Sequence, residues 1–324
     1  MSSLSNIKKP VEAEMADFEA YFGKTMQSDV PLLKIILNYI FRRKGKQMRP
    51  LLVFLTAKLN GVISESTYVA ATFIELLHTA SLVHDDVVDE ANERRGVLSI
   101  NALWNSKIAV LVGDYMLSTG MHIGVEKGRY DMLGIISEAV KKMSEGELLQ
   151  LQKARKNHIS EADYLRIIQS KTAALISACT ACGAQSTTND ADTVQIMKEF
   201  GENIGIAFQI KDDILDYENT GLTGKPSGND IKERKITLPL IYALAKTPYL
   251  KKQRIIKIVK SKKKTASEIS EVISFVSEYG GLEYAKLRMN QYRDKALATL
   301  DIYPESEVKN SLKEFIYYTT ERKK

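Results

Sequence analysis

Apolar residues recur every three or four positions through most of this chain, the period that turns one face of an α-helix toward a core. Val11, Met15, Phe18 and Phe22, followed by Leu32, Leu33, Ile36, Leu37 and Ile40, predict two helices within 10–41. The second opens at Pro31, whose fixed φ suits a first helical turn. Pro50 suits the first turn of the next helix, which ends at Asn60-Gly61. Long helices are then predicted over 66–89, 101–124, 129–156, 160–185 and 190–217, with Ser160 and Asp163 in the spacing of a capping box. Shorter ones cover 237–245, 251–260, 267–279, 282–300 and 305–320. No alternating strand run, internal repeat or linker of disordered composition interrupts the series. The longest break, NTGLTGKPSGNDIKERK, is rich in turn formers and cations and reads as a functional loop. The pattern predicts an all-α chain folded as a single domain over 1–324.

Composition agrees, since 44% of the residues are hydrophobic and only 7 are proline. The formal net charge of +6, with an isoelectric point near 9.0, suits an anionic partner: nucleic acid, a lipid surface or phosphorylated small molecules. Cys179 and Cys182 lie three apart in an apolar helical run, with no second ligand pair or strand–turn context. They read as small core residues in a reducing compartment, and not as a disulfide, redox or zinc site. The stretch MSSLSNIKKPVEAEM lacks a signal-peptide core, and no uninterrupted apolar run reaches the ~20 residues of a membrane span. A cytoplasmic protein without a transmembrane segment is expected.

Two acidic clusters change the picture. Residues four apart share a helix face and residues three apart nearly do, so Asp85, Asp86 and Asp89 form one patch and Asp212, Asp213 and Asp216 a second of identical spacing. Both end apolar helices, where adjacent carboxylates repel and border buried surface. An oxygen-seeking divalent cation such as Mg²⁺ would offset that cost. Cations flank both clusters: Lys46 and Arg49 in GKQMRP, Arg94 and Arg95 after the first, Lys225 and Lys235 after the second. Repeated basic groups beside two acidic patches suit a substrate with two or more phosphates. Lys171 and Thr172 sit within an apolar helix, where a buried lysine calls for an anion. His78 precedes Asp85 by two helical turns and shares its face, as a satisfied core residue or as a ligand contact. GLTGKPSG lacks the spacing of a nucleotide-binding loop and follows no strand, which argues against ATP. The His84-Asp85 pair has too few well-placed histidines beside it for a phosphohydrolase site of the histidine-aspartate type.

GKQMRP, LLHTASLVHDDVVDEANERRG, SKTAAL, FQIKDDILDY and GKPSGNDIKERK, in this order and spacing, resemble the trans-type polyprenyl diphosphate synthases over most of the chain. The resemblance implies an all-α isoprenoid-synthase bundle with a central cavity, assembled as a homodimer. It implies that Asp85, Asp86 and Asp89 bind Mg²⁺ gripping an allylic prenyl diphosphate, and that Asp212, Asp213 and Asp216 hold further Mg²⁺ across the cavity. The family uses three such ions per active site. Arg94, Lys171, Thr172, Gln209, Lys225 and Lys235 would contact the same diphosphate or its metals, with Lys171 and the aspartates as the catalytic set. Lys46, Arg49, His78 and Arg95 would hold isopentenyl diphosphate. The implied reaction adds one five-carbon unit head-to-tail per cycle, and release of a greasy product implies transient membrane contact.

Product length depends on the wall above the first cluster. Ala80 and Ser81 stand five and four residues before Asp85, with Leu77 one turn, or ~5.4 Å, deeper. Shorter-chain relatives resemble one another in placing a bulky aromatic there. Small residues predict an open tunnel and a long product, in the heptaprenyl to nonaprenyl range of quinone side chains, with Met116, Leu117 and Met121 as the floor. Close helix packing is the other use of Ala80 and Ser81. A shorter farnesyl or geranylgeranyl product is the nearest rival. Terpene cyclases and head-to-head synthases share the ionisation step, but cyclases carry an Asn/Ser/Glu pattern where this chain has DDILD. A basic helical module for nucleic acid or membrane is the rival from another class.

Overall fold

The computed structural model describes residues 4–42, 45–94, 97–156, 159–218 and 228–322, and they are almost wholly helical. The chain opens with α1 (Leu4–Lys8), a 3-10 turn (Lys9–Val11), α2 (Glu12–Thr25), α3 (Pro31–Phe41) and α4 (Met48–Asn60). Pro31 begins α3 and Pro50 lies in the first turn of α4, as expected. α5 (Glu65–Val88) starts in a capping box between Ser64 and Thr67 and ends in the first acidic trio. A two-stranded antiparallel hairpin comes after it, β1 (Glu93–Arg94) on β2 (Val97–Leu98), too short to leave an alternating period in the sequence.

The helix expected over 101–124 is two: α6 (Ile100–Trp104) and α7 (Ser106–Glu126). Asn105 separates them by taking a left-handed φ of 86°, and its side chain caps α7 by accepting from Ile108 N at 3.1 Å. α8 (Tyr130–Lys156) and α9 (Glu161–Ile168) come next, α9 with the predicted capping box of Ser160 and Asp163. The apolar run beyond it holds a π-helical turn (Gln169–Ala173) before α10 (Ala174–Gln185), and α11 (Ala191–Glu218) carries the second trio. α12 (Asn229–Lys232), α13 (Leu238–Ala245), α14 (Tyr249–Lys260), α15 (Ala266–Glu278), α16 (Gly281–Thr299) and α17 (Glu307–Thr320) complete the bundle.

α10 is the central post. Its small residues, Ala178, Cys179, Thr180, Ala181, Cys182 and Gly183, are buried and let neighbours approach closely. The cysteines are free, and burial pushes the Cys179 thiol up to about 12, so both are inert core residues as expected. α5 runs antiparallel to α10, since Thr67 and Ser186 are hydrogen-bonded at 2.8 Å where α5 begins and α10 ends. α11 is antiparallel too: Thr180 Oγ1 donates to Met197 O at 2.6 Å, and Thr172 Oγ1 to Gln209 Oε1 at 2.8 Å. α4 runs parallel to α10, with Arg49 near Cys179 and Ala57 O accepting from Thr187 Oγ1 at 3.3 Å. These directions bring the C-terminal ends of α5 and α11, the N-terminal end of α4 and the π-helical turn to one end of the bundle.

α7 is long and apolar enough to cross a membrane, with a window of mean hydropathy 1.3, yet its inner face packs on α5. Gly113 admits the ring of His84 and Gly120 that of Phe73; a Cβ would stand 2.2 Å from His84 Nε2 and 2.6 Å from Phe73 Cδ2. Near the acidic end Gly205 of α11 meets the backbone of the π-helical turn, where a Cβ would lie 2.5 Å from Ala173 Cα. Backbone cannot yield as a flexible side chain does. Gly205→Ala should therefore destabilise the fold by about 1–3 kcal/mol, read as a lower urea midpoint. An unchanged midpoint would mean that α11 parts from the turn freely.

Candidate active site

The first trio ends α5. Asp86 is buried, Asp85 is half-buried and Asp89, the C-cap residue, is exposed. The backbone holds the trio's shape: Asp89 N donates to Asp85 O at 2.8 Å and Ala91 N to Asp86 O at 2.9 Å, across Glu90 at a left-handed φ of 51°. His84, next to the trio, is turned to α7, its Nε2 lying 3.4 Å from Asp114 Oδ1.

The second trio is more tightly bound by its own surroundings. Asp213 is buried and accepts from Tyr164 Oη at 2.6 Å and from Gln209 Nε2 at 2.9 Å. Both Asp216 oxygens accept backbone N–H groups, from Asn229 at 3.0 Å and Asp230 at 2.9 Å, which ties the start of α12 to α11. Asp212 forms an ion pair with Arg322, whose guanidinium also lies 4.6 Å from the Phe208 ring centroid. Burial, the charge of Asp230 and the charge of Asp212 push Asp213 up to about 8 against the hydrogen bonds that favour its ionised form. Asp230 rises to about 6 through burial and the neighbouring Asp216.

Cations gather between the trios. Burial would pull Lys235 down, but its hydrogen bond to Glu233 and the charges of Glu233, Asp230 and Asp89 hold it above its usual value. It therefore feels both acidic walls. Lys171 lies on the π-helical turn and pairs with Glu147 of α8; its side chain is 36% exposed, so the expectation of a buried lysine is corrected. The π-helical turn swings it out of the apolar run toward the bundle's open end. The hydrogen bond from Thr172 to Gln209 joins two predicted contacts directly. Lys46 Nζ donates to Tyr318 Oη at 2.8 Å, bringing α17 to the basic loop before α4, where Arg49 is half-buried. His78 is half-buried, and its carbonyl accepts from Ser81 Oγ at 2.8 Å. Arg94 lies on β1, whereas Arg95 and Lys225 fall outside the described residues.

Ala80 is fully buried in an apolar cluster with Leu76, Val83 and Met116, and Leu77 packs in the main core. Leu117 is partly buried there, but Met121 is 51% exposed and is no part of a floor, because α7 turns it away from α5. Sequence reasoning missed Tyr164, Asp230, Tyr318 and Arg322. Tyr164 lies seven residues before Lys171 on the same helical run, whereas the C-terminal pair carries no local signal. Among the described residues no three carboxylate, imidazole or thiol groups enclose an ion by themselves. The carboxylates of the two trios are oxygen donors, the set that a hard divalent cation takes, with water and phosphate oxygens completing its shell.

The fold is that of the all-α isoprenoid synthases. A polyprenyl synthase from Caulobacter crescentus, solved with calcium and isoprenyl diphosphate, superposes with a TM-score of 0.90 at 32% identity, over 99% of this chain and 98% of that one. A geranylgeranyl pyrophosphate synthase from Bacteroides thetaiotaomicron gives 0.85 at 40% identity, over 99% and 100%. The octaprenyl diphosphate synthase of Haemophilus influenzae is 34% identical over 323 residues, 99% of this chain and 98% of that protein. The chain belongs to the polyprenyl synthetase family, whose profile matches residues 30–276.

The raised carboxyl of Asp213 has a signed consequence for the metal-free protein. Its ordinary value is 3.8 and its folded value about 8, so the neutral form stabilises the fold fully below the first and loses that contribution as pH rises through the second. Raising the pH from about 5 to about 8 should lower the melting temperature of the wild type more than that of Asp213→Asn, in chelator. Equal falls would show that Asp213 does not titrate in this window.

Proposed function

We propose that this protein is a Mg²⁺-dependent prenyltransferase that condenses isopentenyl diphosphate with an allylic prenyl diphosphate, head to tail. The observation that carries the reading is the convergence of two acidic helix ends, with Lys235 sensing both, and the cations Lys46, Arg49 and Lys171 at one end of a helical bundle. Asp85, Asp86 and Asp89 on one wall and Asp212, Asp213 and Asp216 on the other would hold the metal; three ions per site suit six carboxylates and a diphosphate. Magnesium would supply positive charge to the diphosphate as its C–O bond breaks. Lys171, Thr172, Gln209, Lys235, Arg94 and Lys225 would orient that leaving group, and fixed cations act there without reorganising. Lys46, Arg49, His78 and Arg95 would place the second diphosphate so that its double bond reaches the allylic carbon. Apolar walls formed from α5 and α7 would keep water from the cation.

A long product, about C35–C45 and suited to quinone side chains, is supported by the small, buried Ala80 between Leu76 and Met116 and by the curated octaprenyl relative. The shorter reading is not favoured, since curated relatives at 33–34% identity are named for an octaprenyl product. α7 and α8 expose Leu111, Met121, Val125, Leu148 and Leu151, an apolar face that suits a homodimer. Free, buried cysteines suit the reducing cytoplasm, with membrane contact only at product release.

Incubating the protein with labelled isopentenyl diphosphate, an allylic primer and Mg²⁺ should yield a ladder of elongated products. No elongation would favour a basic binding module instead. Ala80→Phe should shift the dephosphorylated products to shorter chains by at least one five-carbon unit, because an aromatic ring spans roughly one helical turn of the wall. An unchanged chromatogram from a folded variant would remove Ala80 from the product's path.

A further inference from the structure

A hydrogen-bonded ladder runs from the π-helical turn through α11 to α9. Thr172 Oγ1 donates to Gln209 Oε1 at 2.8 Å, Gln209 Nε2 to Asp213 Oδ1 at 2.9 Å, and Tyr164 Oη to Asp213 Oδ2 at 2.6 Å. The first three members belong to the diphosphate and metal site; Tyr164 does not. It is 4% exposed, as is Asp213, so the bond between them lies away from solvent. Burial also holds the phenol well above its ordinary value, which keeps the hydroxyl a donor.

The far end of the ladder is also anchored outside α11. α9 begins in the Ser160–Asp163 capping box, Lys153 pairs with Asp163 at 2.7 Å, and Glu161 accepts from Tyr284 at 2.7 Å and meets Arg288 at 3.0 Å. The Tyr164 ring packs in one cluster with Ala173, Ile206, Ile210 and Ile214. Tyr164 is thus a post fixed by α8, α9 and α16, with its single proton aimed at the carboxylate beside Asp212. A rotation of the last turns of α11 would have to break this bond. The same rotation would swing Asp212 away from the first trio, because neighbouring residues on a helix turn together by about 100° each.

We propose that Tyr164 is a positioning residue for the reaction: its hydroxyl holds the Asp213 carboxylate and so fixes the orientation in which α11 presents Asp212 to the metal and the diphosphate. This rests on the reading of the second trio as a metal wall. A ring that only fills the core would be replaced without loss by phenylalanine, which keeps the packing and removes one proton.

The test is Tyr164→Phe in the full chain, followed by calorimetric titration with Mg²⁺ and inorganic pyrophosphate and by elongation rates against Mg²⁺. The variant should melt near the wild type, bind Mg²⁺–pyrophosphate about tenfold more weakly, the loss of one buried hydrogen bond, and need correspondingly more Mg²⁺ for half-maximal rate. KM for isopentenyl diphosphate should stay as in the wild type. In an Asp213→Ala background, which removes the acceptor, the same change should cost nothing further. Unchanged pyrophosphate binding and Mg²⁺ requirement, or an equal loss in the Asp213→Ala background, would overturn the proposal. Should the phenylalanine variant fold poorly, Tyr164→3-fluorotyrosine, a stronger donor of nearly the same shape, should tighten pyrophosphate binding, and no change there would overturn it equally. A wild type that neither binds Mg²⁺–pyrophosphate nor elongates would bring down the metal reading itself; one that does both beside an indifferent variant removes only the role given to Tyr164.

Discussion

Carboxylates at the C-terminal end of a helix add their charge to the negative end of the helix dipole, an arrangement that isolated helices avoid. This chain makes it twice, at the ends of α5 and α11, and packs both helices against α10 so that the two ends lie at the same end of the bundle. The negative potential that results is the constraint on everything nearby. It is met partly by fixed groups: Lys235 between the walls, Arg322 on Asp212, and backbone N–H groups on Asp216. It is met only in part: burial first, and then the neighbouring aspartates, raise the carboxyls of Asp213 and Asp230. A site left short of positive charge is one in which a divalent cation and its phosphate-bearing ligand are bound with a large electrostatic gain.

Bringing the walls together demands close helices, and the sequence meets that with small residues at the contacts. Gly201 and Gly205 of α11 and Gly183 of α10 each face backbone or a short side chain where a Cβ would clash. The π-helical turn does the complementary job. One extra residue in a turn shifts the register of the helix beyond it, and here it lets Lys171 lean toward Glu147 while Thr172 faces Gln209. Gly146 of α8 and Gly205 of α11 close on that turn from either side, so a conformation with poorer hydrogen-bond geometry is held by packing.

Most of this architecture was legible because helical period and capping are local. The bounds of α9 are marked by Ser160 and Asp163, and those of α3 by Pro31. The acidic trios were legible for the same reason, since three carboxylates on one helix face are visible without knowing the fold. The chain hides whatever depends on direction in space. Nothing local distinguishes Asn105 as a left-handed break from a polar residue within a helix, and the two-residue strands β1 and β2 are shorter than any period. The π-helical turn hides in an apolar run, which is why Lys171 reads as buried when it is partly exposed. Met121 reads as lining because α7 is apolar on nearly every side, and only packing shows that Gly113 and Gly120 mark its inner face. Tyr318 and Arg322 reach the site from the other end of the chain, a contact that no spacing rule anticipates.

Similarity over the whole chain is a weak guide to product length for a physical reason. The charge chemistry at the bundle's end is the same whatever the tail, so it places no limit on product length. Tail length is set instead by the few side chains lining the path inward from Asp85, and a change of one turn there alters the depth by ~5.4 Å without touching the charged groups. A relative of this chain named for a geranylgeranyl product at 40% identity and one named for an octaprenyl product at 34% are therefore not in conflict. The number that separates them is dominated by helices common to both. In this chain the wall presents Ala80, with no aromatic ring, and the cluster around it contains Met116, an unbranched side chain able to move aside.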